Sequence, residues 1–369
     1  MRRLGAFLVL LSLLAAACDD GDGSAAPPGR RPDPVGNGRA QPTPGEGLAT
    51  PEAAPTPTPG RILPVTEASW ATGLPALIVA NGSEVNRYRR GAPTRIGTLE
   101  GEAHVAFAAG AGTVIAQHVQ DKRSELVRLR RGRNVQRIDT GAAYASLLDV
   151  ATIDGARRML FSTYHAPAGE RGDTAGYLYL ENLSGGDRRR LTESDGPEFG
   201  ITHASYGGGT IVASAWSDLT ERFLFLRPDG DEITDRLNPT EDLPYGNPPY
   251  MSDAVLSPDG RLMAYLEGPD WNQLEQAQTG DWVAVILDQQ TNRERLRVHV
   301  ADGDQCVPRL DFDGRWLVVS RAKWDERDGA LVCEPSAVRS LPVSVIDTSA
   351  DEQQIVVIVD VKGIATIDD

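Results

Sequence analysis

Along most of the chain the apolar residues come in short runs, alternating or continuous, cut by glycine-centred turns, and no stretch carries a long helical stripe with caps. A turn glycine followed by an apolar strand recurs as Gly73-LPALIVA, Gly112-TVIAQHV, Gly155-ARRMLFSTY, Gly209-TIVASAW, Gly260-RLMAYLE and Gly314-RWLVVSR, at separations of 39, 43, 54, 51 and 54. Each copy is followed by a second hairpin, in which an alternating strand runs through a polar turn into a more polar strand; these begin at Glu84, Glu125, Tyr177, Phe223, Trp282 and Pro342. Four strands per repeat follow. A four-stranded sheet of this kind buries both faces only against its neighbours, so the repeats must close into a ring. The pattern predicts an all-β fold, a six-bladed β-propeller with four-stranded antiparallel blades, over residues 62–369.

Three segments sharpen the expectation. Leu256-SPDGRLMAYLEG and Leu310-DFDGRWLVVSR resemble the repeat of TolB-like, WD-repeat-like propellers, and Leu183-SGGDRRRLT resembles the outer hairpin of the same unit. The turn has a local cause: Pro258 fixes φ, Asp259 bonds its own backbone, and Gly260 accepts positive φ. The second and fourth units carry Ala and Gly in place of Pro-Asp. After the last hairpin the chain continues as Gly363-IATIDD, a surplus strand expected to close the ring by pairing near Pro64 to Ala71.

Strand direction sorts the loops onto two rims. Turns between strands one and two, and three and four, are short; the other rim receives the long segments Thr163 to Ala175, Asn238 to Tyr250, Gly268 to Asp281 and Ala322 to Leu341. Long loops gathered on a rigid scaffold are the usual place for binding. They carry Tyr164, His165, Tyr245, Tyr250, Trp271 and Trp324, amphipathic aromatics that suit a peptide or glycan. The blander alternative is that these rings pack against prolines of their own loops.

The chain ends change the picture further. Arg2 and Arg3, an apolar run from Leu4 to Leu14, and Ala15, Ala16, Ala17 before Cys18 have the order of a secretory signal, with an apolar core too short to span a bilayer. Three small residues before a cysteine resemble the bacterial lipobox, with Leu14 one place further back than usual. The resemblance implies a signal peptide over 1–17 and lipidation (diacylglyceryl and palmitate) at Cys18; the alternative is an ordinary signal peptide that leaves a free thiol. Residues 18–61 are rich in Pro, Gly, Ala and Thr and cannot bury a core, so they read as an extended tether. Asp19 resembles the retention signal of inner-membrane lipoproteins. With Cys18 taken as the anchor, Cys306 and Cys333 remain as an even pair in a compartment that permits a disulfide, both on the long-loop rim; the alternative is two buried thiols.

The net charge of −15 argues against nucleic acid, and against an anionic lipid face beyond the lipid anchor itself. None of the five histidines stands at a metal-ligand spacing. His104 and His203 both open innermost strands, near Glu102, Glu198 and Asp253, and are the candidates for a channel metal. No Gly-x-Ser-x-Gly elbow appears, which disfavours a serine hydrolase. Arg128, Arg130, Arg131 and Arg133 alternate with apolar residues in an outer hairpin and read as an exposed strand edge rather than a phosphate site. The expected protein is therefore an exported, monomeric, cofactor-free lipoprotein of the cell envelope, on its periplasmic or outer side. Its propeller would bind a protein, peptide or glycan. The competing class is a lactonase- or sugar-dehydrogenase-like enzyme with a metal or quinone in the channel.

Overall fold

The computed structural model describes residues 61–64, 74–89, 92–120, 123–142, 144–164, 176–192, 200–217, 220–233, 236, 238–240, 250–268, 281–302, 305–323, 325–327, 330–332, 340–349 and 355–368. They belong to one compact unit, Pro55–Asp369. Among them there are strands and turns and no helix. The sheets are antiparallel and follow the sequence repeat. The first pairs Ile364–Ile367, Leu77–Asn81, Glu84–Arg89 and Ala92–Thr98 in that order. The second is Glu102–Ala108, Thr113–Gln120, Arg123–Arg130 and Gln136–Ile138, and the third is Tyr144–Ile153, Ala156–Tyr164, Gly176–Asn182 and Arg189–Arg190. A single parallel pair, Ser124 with Tyr144, joins these two into one path. The fourth holds Gly200–Gly207, Thr210–Ser217 and Thr220–Leu226, its outer position reduced to a bridge between Leu226 and Glu232. The fifth is Tyr250–Leu256, Leu262–Gly268, Trp282–Asp288 and Arg293–Ala301. The last is Arg309–Phe312, Trp316–Ser320, Pro342–Asp347 and Ile355–Lys362.

The innermost strand of each sheet contacts that of the next, and the last returns to the first, which is the architecture of a β-propeller. The hydrophobic core is correspondingly divided into seams between sheets. One seam packs Ile78 and Val85 of the first sheet on Ala106 and Val114 of the second, and another packs Leu160 and Leu178 of the third on Ile211 and Ala213 of the fourth. The largest combines Trp282 and Leu266 with Leu317 and Phe312. Both faces of the middle strands are thus covered, so a strand such as Leu77–Asn81 is buried at four consecutive positions.

Ring closure differs from the expected pairing. Ile364–Ile367 becomes the innermost strand of the first sheet and pairs with Leu77–Ala80; of the expected stretch, residues 65–71 lie outside the described residues. Pro64, the one described residue of that stretch, belongs to the strand Arg61–Pro64, which lies parallel to Ile355–Ile358 at the outer edge of the last sheet. The sequence pattern counted the first sheet from the wrong strand because its inner strand is supplied from the far end of the chain. Asp368 then fastens the closure: Arg87 Nε stands 2.8 Å and Arg89 Nη2 3.1 Å from its carboxylate, and its own N–H donates to Ala76 O at 2.8 Å. Gly363 makes the junction between the outer strand of one sheet and the inner strand of the next. Its φ is 131°, and a Cβ there would sit 2.3 Å from Ala80 O.

The glycines of the fourth unit have a purpose that the repeat comparison hid. Gly208 has φ 57° and donates its N–H to Pro258 O at 2.9 Å, and a Cβ on it would lie 2.2 Å from Asp259 O. The Ser-Pro-Asp-Gly turn of the fifth sheet therefore rests directly on the fourth sheet's turn. Absence of Pro-Asp in the fourth unit is the steric condition for its neighbour's turn.

Candidate functional site at the central channel

The inner strands are short apolar segments interrupted by single polar residues, and those residues converge where the strands meet. Bulges assist this. Register slips between Ala103 and Val105, Ile201 and His203, and Ser252 and Val255, re-aiming the side chains around His104, Thr202 and Asp253. Asp253 itself occupies the left-handed region at φ 56°.

Three carboxylates act in the same way. Asp149 Oδ2 accepts the N–H of Tyr206 in the following sheet at 2.8 Å, Asp253 Oδ2 accepts that of Leu310, and Asp311 Oδ2 accepts that of Ile367 at 2.6 Å. The remaining junctions use neutral groups. Gln117 Oε1 accepts from Leu147 N at 3.0 Å, Ser205 Oγ accepts from Leu256 N at 3.2 Å, and the Thr366 hydroxyl donates to Ala106 O at 2.6 Å. Every seam is thus stitched by a side chain bonded to the next sheet's backbone, satisfying groups that no ladder reaches.

His203 Nδ1 stands 3.0 Å from Asp253 Oδ1, both side chains being almost wholly buried. Arg309, on the opposite side of the ring, donates to Leu147 O at 3.3 Å, so its side chain crosses from the last sheet to the third. Asp149 and Arg309 are half-buried. Burial raises the Asp149 carboxyl to about 6 against the pull of the Tyr206 and Val150 amides, His203 and Arg157. For Asp253 burial acts in the same direction, but His203, Arg309 and the Leu310 amide together outweigh it and hold the carboxyl below its usual range. Burial lowers Arg309, opposed by the charges of Asp253, Asp311 and Asp149. The set is an internally compensated ion cluster.

Of the residues anticipated for this region, the structure brings His203 and Asp253 together, while His104 lies half-buried on the second sheet. Neither histidine belongs to the group among the described residues whose ligand atoms converge within 4.8 Å, which is the exposed set Asp281, His299 and Asp302. There the imidazole Nε2 is 3.5 Å from each carboxylate. Asp149, Arg309 and Asp311 were not anticipated, although Asp149 and Asp311 are charged residues inside apolar strands, as in Leu148-Asp149-Val150 and Leu310-Asp311-Phe312.

Of the rim aromatics, Tyr164 ends the second strand of its sheet and Tyr250 opens an inner strand, which puts both backbones at the expected edge. His165, Tyr245, Trp271 and Trp324 lie outside the described residues, as do Cys18, Glu198 and Cys333. Cys306 is 1% exposed, donates its N–H to Ala322 O at 2.9 Å just before the inner strand of the last sheet, and is disulfide-bonded.

No family model matches the chain, and no curated protein matches it either. Solved structures of similar strand layout include a nidogen/laminin complex, with TM-score 0.46 and 11% identity over 76% of this chain and 92% of that one. A prolyl endopeptidase has TM-score 0.40 and 10% identity over 66% of this chain, and a puromycin hydrolase 0.40 and 14% over 82%. This chain spans 35% and 56% of the lengths of those two enzymes. At such identities the likenesses carry no argument about what this chain binds or transforms.

Proposed function

We propose that the chain is an exported lipoprotein anchored through Cys18, whose residues 62–369 form a six-bladed, TolB-like propeller that binds a protein, peptide or glycan of the cell envelope and catalyses no reaction. The observation that carries the non-enzymatic half is the use of the channel carboxylates: Asp149, Asp253 and Asp311 each accept a backbone N–H of the neighbouring sheet. A carboxylate held in this way is a structural acceptor, and a metal or quinone in the channel would have to compete with the bonds that join the sheets. A count of six blades is supported by the return of the inner-strand contacts to the first sheet after the last. Pairing of Cys306 with Cys333 follows from the bonded state of Cys306 once Cys18 is acylated, and it would pin the long loop after the second strand of the last blade.

The anchor is tested by mass spectrometry of protein extracted from membranes of the native host. A diacylglyceryl thioether on an amino-terminal Cys18 is expected, and a Cys18→Ala chain is expected in the soluble fraction; an unmodified thiol would overturn the anchor. Binding is tested by crosslinking in the intact envelope, where a recurrent partner is expected. Stoichiometric metal or a quinone absorption band in the purified protein would instead establish the channel enzyme.

A further inference from the structure

The outer hairpin of the second sheet holds four arginines, Arg128, Arg130, Arg131 and Arg133, and its fold departs from a simple exposed edge. Gly132, at φ 69°, tightens the turn, and the Arg133 N–H donates to Arg130 O at 3.0 Å. On one side of this turn lies a cavity of about 320 Å³, bounded by Arg128, Arg130 and Arg133 with Thr113, Asn134 and Ser184. On the other lies a second of about 530 Å³, bounded by Arg131 and Arg133 against strand Ala92–Thr98 of the first sheet. Arg133 is common to both. Neither cavity has an aspartate or glutamate in its wall.

That composition is unusual for this chain, in which 52 acidic residues outnumber 37 basic ones. Several arginines elsewhere find carboxylates: Arg158 on Asp187, Arg188 on Glu181, Arg261 on Asp288, Arg297 on Glu267 and Arg315 on Asp347. Among the described residues no carboxylate pairs with any of the four hairpin arginines, and Arg131 and Arg133 make no side-chain hydrogen bond. Two of the guanidinium groups are nevertheless fixed. Arg128 donates to Leu183 O and, at 3.4 Å, to Gln136 Oε1, while Arg130 Nε donates to Thr113 Oγ1 at 2.9 Å. The Arg130 bond leaves both terminal amino groups of that side chain for a ligand.

We propose that this cleft binds a ligand carrying two or more phosphate groups in series, one in each cavity, with Arg133 between them. A tetrahedral phosphate presents enough acceptor oxygens for several guanidinium forks together with the Thr113 and Asn134 side chains, whereas a carboxylate presents only two. The cavities lie among the short turns, on the rim opposite the long loops, and the site does not depend on the scaffold reading above.

The test is calorimetric titration of the detergent-solubilised full chain with inorganic polyphosphate and, separately, with orthophosphate, at several salt concentrations. Polyphosphate is expected to bind at about 0.15 M salt, at least about tenfold tighter than orthophosphate, and to weaken as salt rises. Arg130→Ala/Arg133→Ala is expected to cost about tenfold or more, and Arg222→Ala, an exposed arginine of the fourth sheet, less than about twofold. Unchanged melting temperature separates lost binding from lost folding, and Arg133→Gln, which removes the charge but keeps a polar side chain, serves if the double variant is unstable. Absence of polyphosphate binding, an unchanged double variant, or an equal loss in Arg222→Ala would overturn the site. Equal affinity for orthophosphate would overturn the requirement for phosphates in series.

Discussion

In the channel, three aspartates accept backbone N–H groups from neighbouring sheets, Asp253 holds His203 at 3.0 Å, and Arg309 crosses to Leu147 O. At the Arg128–Arg133 turn, the same protein leaves a row of guanidinium groups without carboxylates. The channel residues sit where water is scarce, so an unmatched charge there would cost several kcal/mol and the fold matches it. The turn is solvated, and its unmatched charge costs the fold little. Spent charge in this molecule is a sign of architecture, and unspent charge is a sign of a partner.

The contrast is broken most directly at Asp253. Asp253→Ala strands His203, the Leu310 amide and Arg309 together and is expected to destabilise the fold by about 3–5 kcal/mol, measured by urea denaturation. Near-native stability would mean that the channel ions are not structural. Asp311→Ala removes the acceptor for Ile367 N and for Phe312 N and is expected to cost about 1–3 kcal/mol, with m unchanged. At Asp149 the effect is smaller and has a sign. Because the folded carboxyl is raised to about 6, the folded state holds a proton that the unfolded state has lost, so the Asp149 contribution declines as pH rises from about 4 to about 6 and is level above that. Asp149→Asn keeps an acceptor for Tyr206 N and drops the titration. The stability difference between wild type and variant should fall across that window in thermal melts at stepped pH, and a difference that stays flat would count against the raised carboxyl. Arg130→Ala/Arg133→Ala should change stability by no more than about 0.5 kcal/mol; a larger loss would place those arginines with the architecture.

Strand number per repeat, the turn at Pro258 to Gly260 and the existence of a closing strand could be read from periodicity, because a sheet buried on both faces needs apolar runs that polar turns interrupt. The closing partner could not. Leu77–Asn81 and Ile364–Ile367 are nearly three hundred positions apart in the chain, and apolar runs carry no mark of which edge they pair with. The glycines before Thr210 were legible as a turn but not as a seat for the fifth sheet's turn, since that requirement belongs to the neighbour's backbone. In the channel, His203 and Asp253 were both visible as residues near inner-strand starts. Their roles were not, because the bulge at Asp253 and the amide that it caps exist only once two sheets meet. The arginine turn shows the opposite failure: alternation correctly gave an exposed edge, while the cavities on either side depend on strand Ala92–Thr98 and on Leu183.

Gly363 and the strand after it have a temporal consequence. Ile364–Ile367 is the inner strand of the first sheet and is buried against the second through Thr366 and Ala106, yet it leaves the ribosome after every other part of the ring. Until then the first sheet lacks its centre and the seams on both sides of it stay open. Closure of this ring therefore waits until residues 364–367 have been made, and the two seams beside the first sheet are the last to form.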